Sequence, residues 1–195
     1  IGDLTLTSIS AYRAYKSDNP GSDADSVPVD RLNVNSSPRD IRNFSQEVRL
    51  ASPTGGMIDY LLGFYYFDSE LSSTNSQYGP VRADMGLPFI LGQIQETQAS
   101  TTSVAGFANI TAHLSPAFRL LAGARIGKES ISARTIGRLA PGSVAPIIGI
   151  APIYGQVSDS YFSYKVGAQY DLTPDVMAYA TYTRGYKGPS VNDQT

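Results

Sequence analysis

The 195-residue sequence predicts an all-β fold: a segment of an antiparallel transmembrane β-barrel, about seven strands of a larger barrel. Three observations carry that expectation. Stretches rich in β-formers alternate with a period of two between clusters of Gly, Pro, Asn, Asp and Ser. The connectors alternate strictly between short and long, as short periplasmic turns and long extracellular loops do in an outer-membrane barrel. One face of several strands carries no charge.

Taken in order, the first strand runs from Leu4 to Ser17 and leads into a long polar connector, 18–43. Strands two and three, Phe44 to Ser52 and Met57 to Ser69, are joined by Pro53, Thr54, Gly55 and Gly56. A second long connector, 70–101, precedes strands four and five, Thr102 to Leu114 and Phe118 to Ile136, which Ser115, Pro116 and Ala117 join. After a third long connector, 137–159, strands six and seven run from Ser160 to Leu172 and from Val176 to Lys187, around Thr173, Pro174 and Asp175. Pro presets the backbone of a tight turn and Gly, Asn, Asp and Ser complete it. Connections in a compact soluble sandwich cluster at ~4 to 6 residues, so regular alternation with long ones calls for another cause, and two rims of a barrel supply it.

Parity sharpens the picture. In strand six Phe162, Tyr164, Val166, Ala168, Tyr170 and Leu172 share one face, opposite Ser163, Lys165, Gly167, Gln169 and Asp171. Strand five sets Leu120, Ala122, Ala124 and Ile126 against Arg119, Gly123 and Arg125, and strand four sets Val104, Ala108 and Ile110 against Ser103, Asn109 and Thr111. Strand three is apolar on both faces: Ile58, Tyr60, Leu62, Phe64 and Tyr66 oppose Leu61, Tyr65 and Phe67, so its inner face must meet something apolar. Seven strands miss the even count of a bacterial single-chain barrel, which implies that the barrel continues beyond this sequence.

Composition narrows the function. Charged residues are 16% of the chain, against about 25% in a soluble globular protein, and 17 acidic against 15 basic residues argue against a basic nucleic-acid surface. Without Cys, and with His113 as the single histidine, thiolate catalysis and multi-histidine metal sites are excluded. His113 lies two residues before a turn with no nucleophile elbow, which makes it structural. The acidic group Asp18, Asn19, Asp23, Asp25 and Asp30 lacks the spacing of a calcium loop and reads as a solvated connector. The uncharged window from Leu139 to Ser158 contains Pro141, Pro146 and Pro152, so it is not a spanning helix. No enzyme and no cofactor are expected.

The segment AYATYTRGYKGP, Ala178 to Pro189, ends an aromatic strand in Gly185, Tyr186 and Lys187. FSQEVRLASP, Phe44 to Pro53, is followed by DYLLGFYYF, Asp59 to Phe67, and LTLTSISAYR opens the chain at Leu4 to Arg13. In this combination the sequence resembles the barrel portion of TonB-dependent outer-membrane receptors, which import iron chelates, cobalamin and some sugars. The resemblance implies that residues 1–195 are a partial β-barrel domain with the plug domain absent. That family's chains usually end in an aromatic residue, whereas this one ends Asn192, Asp193, Gln194, Thr195, which suits an internal stretch of wall.

The implied function is uptake of a scarce solute, an iron-siderophore, cobalamin or similar, at the bacterial outer membrane. The implied partners are outer-membrane lipid, a small-molecule solute, and TonB through a plug region not present in this chain. The alternatives are a secreted or surface all-β adhesion or binding domain, and a plugless porin-like channel, which would have no use for the apolar inner face of strand three. Arg119, Arg125, Lys165 and Arg184 are candidate luminal charges. They would either form an electropositive lumen for anionic chelates or, as the reading favours, pair with plug carboxylates or with neighbours such as Asp171 and Glu129. Two connectors are apolar where solvent-facing loops are polar, Met85 to Ile94 and Val144 to Tyr154. They suggest a lid whose Phe89, Ile147 and Tyr154 contact a solute with an apolar or aromatic part, with packing between the loops as the alternative.

Overall fold

A computed structural model describes residues 3–19, 21, 34–80 and 89–190, and all regular structure among them is strand. The strands are β1 (Thr5–Ser17), β2 (Val34–Ser36), β3 (Arg39–Ala51), β4 (Ile58–Gly79), β5 (Ile90–His113), β6 (Phe118–Leu139), β7 (Ser143–Ala145), β8 (Ile153–Thr173) and β9 (Val176–Arg184). They form one sheet in the order β1-β3-β4-β5-β6-β8-β9, in which each long strand pairs antiparallel with the next. The short strand β2 extends this pairing beside β4, and β7 lies parallel to β5. The sheet is open, with β1 and β9 at its edges.

The three short turns are tied by side chains suited to them. The Asp59 carboxylate accepts hydrogen bonds from the backbone N–H groups of Gly55 and Gly56, at 3.1 and 3.2 Å. Ser115 Oγ accepts from Ala117 and Phe118, at 3.3 and 3.0 Å, and Thr173 Oγ1 accepts from Asp175 at 3.3 Å. Local side-chain acceptors of this kind replace the ladder bonds that a reversing chain loses.

Between the turns the register is unbroken from β1 to β8, so paired residues form rows on one face or the other. Leu6, Leu50, Leu62, Ala108, Ala124 and Tyr164 make one row, and Ser8, Val48, Phe64, Gly106, Ile126 and Phe162 the next. Across β1 to β8 this face carries no charge from the short turns up to Ile126, which is 65% exposed, and Phe162, which is 54% exposed. The following row contains Lys128, and farther rows hold Arg42, Glu70 and Arg134. From Phe118 to Lys128, a strand rising ~3.3 Å per residue and tilted ~40° climbs about 25 Å, the height of a barrel's lipid-facing band. Among the described residues only Ala105 and Ala140 are buried apolar side chains, so the sheet has no core of its own. Its large apolar side chains are exposed instead.

The strands run well past the ends expected from the sequence. β4 continues to Gly79 and β5 begins at Ile90, so most of the connector 70–101 is a tall hairpin; β8 likewise begins at Ile153 and β6 ends at Leu139. These extensions carry polar residues on both faces with only scattered apolar ones, so they show no sustained hydrophobic alternation. Backbone pairing and hydroxyl contacts hold them instead: Thr97 with Thr135 at 2.9 Å, Ser100 with Ser132 at 2.8 Å, and Ser130 with Ser158 at 3.0 Å.

Candidate functional site

The face opposite the apolar band carries the chemistry. Its central rows are Arg49, Gly63, Phe107, Arg125 and Ser163, then Glu47, Tyr65, Ala105, Gly127 and Tyr161. The Phe107 ring lies over Gly63 in the space a Cβ there would take, so glycine lets the ring settle across β4. The Arg125 guanidinium lies 5.3 Å from the Tyr65 ring centroid and 5.8 Å from that of Phe107, and its Nε donates to the Tyr161 hydroxyl at 3.0 Å. An aromatic face attracts a cation through its quadrupole, so the two rings hold the charge in place. Tyr161 in turn stacks on Tyr186, with centroids 4.1 Å apart and planes at 11°. The Tyr186 hydroxyl donates to Asp159 at 3.1 Å. Desolvation, and then that carboxylate, push its phenol up to about 12. Phe107, Asn109, Arg125, Tyr161, Lys165 and Tyr186 border a cavity of about 540 Å³.

Nearer the short turns, Arg119 grips Asp171 with two nitrogens, at 2.9 and 2.6 Å. Its register partner His113 lies 2.9 Å from Asp59, the residue that closes the first turn. His113 thus ties a turn to β5.

Of the candidate luminal charges, Arg119 has the neighbour partner Asp171. Arg125 and Lys165 share its face, and no ion pair among the described residues includes either of them. Arg184 departs from the expectation. A regular hairpin continued from the pair Thr173 and Val176 would set it beside Lys165, but a bulge between Asp171 and Thr173 shifts the register by one residue. Arg184 therefore pairs with Tyr164 and takes the outward face, since a one-residue slip exchanges the two faces of a strand.

Ile147 and Tyr154, two of the three loop candidates, are not brought together either. Phe89 precedes β5, Ile147 lies between β7 and β8, and Tyr154 belongs to β8 itself. Strand alternation turns Tyr154 outward, into a row with Asp40, Ser72, Gln98 and Arg134, whose guanidinium lies 5.6 Å from its ring centroid. The connector around Ile147 instead hydrogen-bonds to Gln93 and Gln95, on the inner face. Met85 to Pro88 of the other apolar connector, and Asp23, Asp25 and Asp30 of the acidic one, lie outside the described residues. Sequence reasoning missed the ring cluster at Tyr65, Phe107, Tyr161 and Tyr186. Its one signal was the second apolar face of strand three.

A model of the family described as TonB dependent receptor-like, beta-barrel, matches residues 2–195. Solved structures with a similar fold include the ferric yersiniabactin uptake receptor FyuA from Yersinia pestis, at 18% identity and a TM-score of 0.71, over 93% of this chain and 25% of that one. The siderophore receptor PiuA from Acinetobacter baumannii aligns at 14% identity and a TM-score of 0.59, over 94% of this chain and 30% of its own. The ferric-catecholate import receptor Fiu from E. coli K12, in its open form, aligns at 17% identity and a TM-score of 0.53, over 94% and 33%. The chain thus spans a quarter to a third of these structures. No curated protein matches its sequence.

Proposed function

The chain belongs to the β-barrel family of TonB-dependent receptors, and from that premise we propose that it is wall of a receptor for an iron-siderophore or similar chelate. Proteins of this family sit in the bacterial outer membrane, and the fold neighbours are uptake and import receptors, not enzymes. Uptake is driven through TonB, by way of a plug region outside residues 1–195.

The observation that carries this reading is the division of one sheet into two faces: an outward apolar band, and an inner face on which Arg125 lies against Tyr65, Phe107 and Tyr161. An anionic chelate with aromatic or flat ligand groups meets there a held cation, ring faces to stack on, and the ammonium of Lys165. A water-filled porin has no need of such a wall, and a soluble adhesion domain would have to cover the band.

The test uses the full-length receptor in cells stripped of their other iron-chelate receptors. Growth on one member of a panel of ferric chelates, abolished by deleting TonB, is the expected result. Growth on none of them, or growth that survives the loss of TonB, overturns the assignment.

A further inference from the structure

Gln93 is the largest fully enclosed side chain among the described residues, at 1% exposure. Enclosing an amide is unfavourable unless its hydrogen bonds are made, and here a connector and the neighbouring strand supply them. Gln93 Oε1 accepts from the backbone N–H groups of Ile147 and Ile148, at 2.8 and 3.3 Å, while its Nε2 donates to Gln77 at 3.4 Å. Two residues along, Gln95 Nε2 donates to the carbonyl of Gly149 at 3.3 Å. Register places Gln93 and Gln95 on the face of Phe107 and His113, the inner one.

Two further attachments are independent of these amides. A Cβ on Gly137 would stand 2.6 Å from the Ile150 Cα, so only glycine lets the connector approach β6 this closely. At the other end, Ala140 N–H donates to Gly92 at 3.1 Å and β7 pairs with Ile90 and Leu91 of β5. Pro141, Pro146 and Pro152 further restrict the backbone between these points. Ile147 and Ile148 nevertheless remain 42% exposed each. A mobile lid would not need a buried amide, a glycine contact and a strand pairing to attach it.

We propose that Gln93 is a positioning residue that docks residues 146–150 on the luminal wall as a fixed apolar shelf. The passage at the extracellular end is then narrowed by a preformed surface bearing Ile147 and Ile148, and it favours solutes with an apolar flank, because a shelf already in place costs no ordering when the solute arrives. The proposal rests on reading the inner face as a lumen, but its test does not depend on which solute is carried.

The experiment places a nitroxide at Ile148→Cys in the full-length receptor, with a second label at Ser163→Cys as a control elsewhere on the inner face. The expected spectrum of the first label is immobilised without any solute. Gln93→Met, which keeps the length but removes the acceptor, and Gly137→Ala, which fills the contact, each raise its mobility several-fold and leave the control unchanged. A label already mobile in the otherwise unsubstituted receptor overturns the proposal, even if neither variant inserts into the membrane. So does a label that both inserted variants leave immobile, or a change shared equally by the control. Failure of chelate uptake would bear on the receptor assignment alone.

Discussion

Arg125 shows how much one residue can depend on the geometry of its charge. Its guanidinium is flat, so it can face the rings of Tyr65 and Phe107 while its Nε donates to Tyr161. Lysine has the charge but neither the plane nor the fixed fork of donors. If the proposed wall binds a chelate, Arg125→Lys should weaken binding by about tenfold, since a cation–π contact contributes ~0.5 to 2 kcal/mol, and Arg125→Met should weaken it at least as much. Titration of tyrosine fluorescence in the purified full-length receptor measures both. A lysine variant that binds like the parent would mean that charge alone matters there.

At the scale of the strand, alternation and bulges decide what each residue meets. Single cysteines at Val104, Ala108, Val166 and Ala168 should react with lipid-phase reagents in the full-length receptor, and cysteines at Asn109, Thr111, Lys165 and Gln169 should not. Arg184→Cys should join the first group because of the bulge before β9; labelling with the Lys165 group instead would mean that the bulge is absent. The tall hairpin of β4 and β5 makes a separate prediction. Its backbone amides between residues 70–79 and 90–101 should exchange with solvent as slowly as paired strand, many times more slowly than an open loop of the same composition. Mass-resolved hydrogen exchange of those peptides distinguishes the two.

The whole sheet buries almost nothing against itself. Among the described residues β1 and β9 offer unpaired edges, and the apolar rows offer an exposed band. Both are protected when a barrel closes in a membrane and are liabilities in water. Residues 1–195 produced alone without detergent should therefore associate or precipitate. A monodisperse monomer with a cooperative melt, seen by light scattering and calorimetry, would count against the membrane reading.

The sequence by itself determined the seven long strands, the three short turns and the outward face, because these depend on local signals: alternation, Pro and Gly placement, and the absence of charge along one side. Strand ends above the band were hidden from it. There Ser, Thr, Asn and Gln pair through backbone and hydroxyls, and no regular apolar alternation marks where pairing stops. The tertiary structure alone decided which residues meet across the sheet. Arg125 reaches rings on β4 and β5, Gln93 holds a connector more than fifty residues away, and Tyr154 and Ile147 part to opposite faces. Each of these follows from register summed over several strands, and a single bulge, as at Arg184, is enough to reverse it.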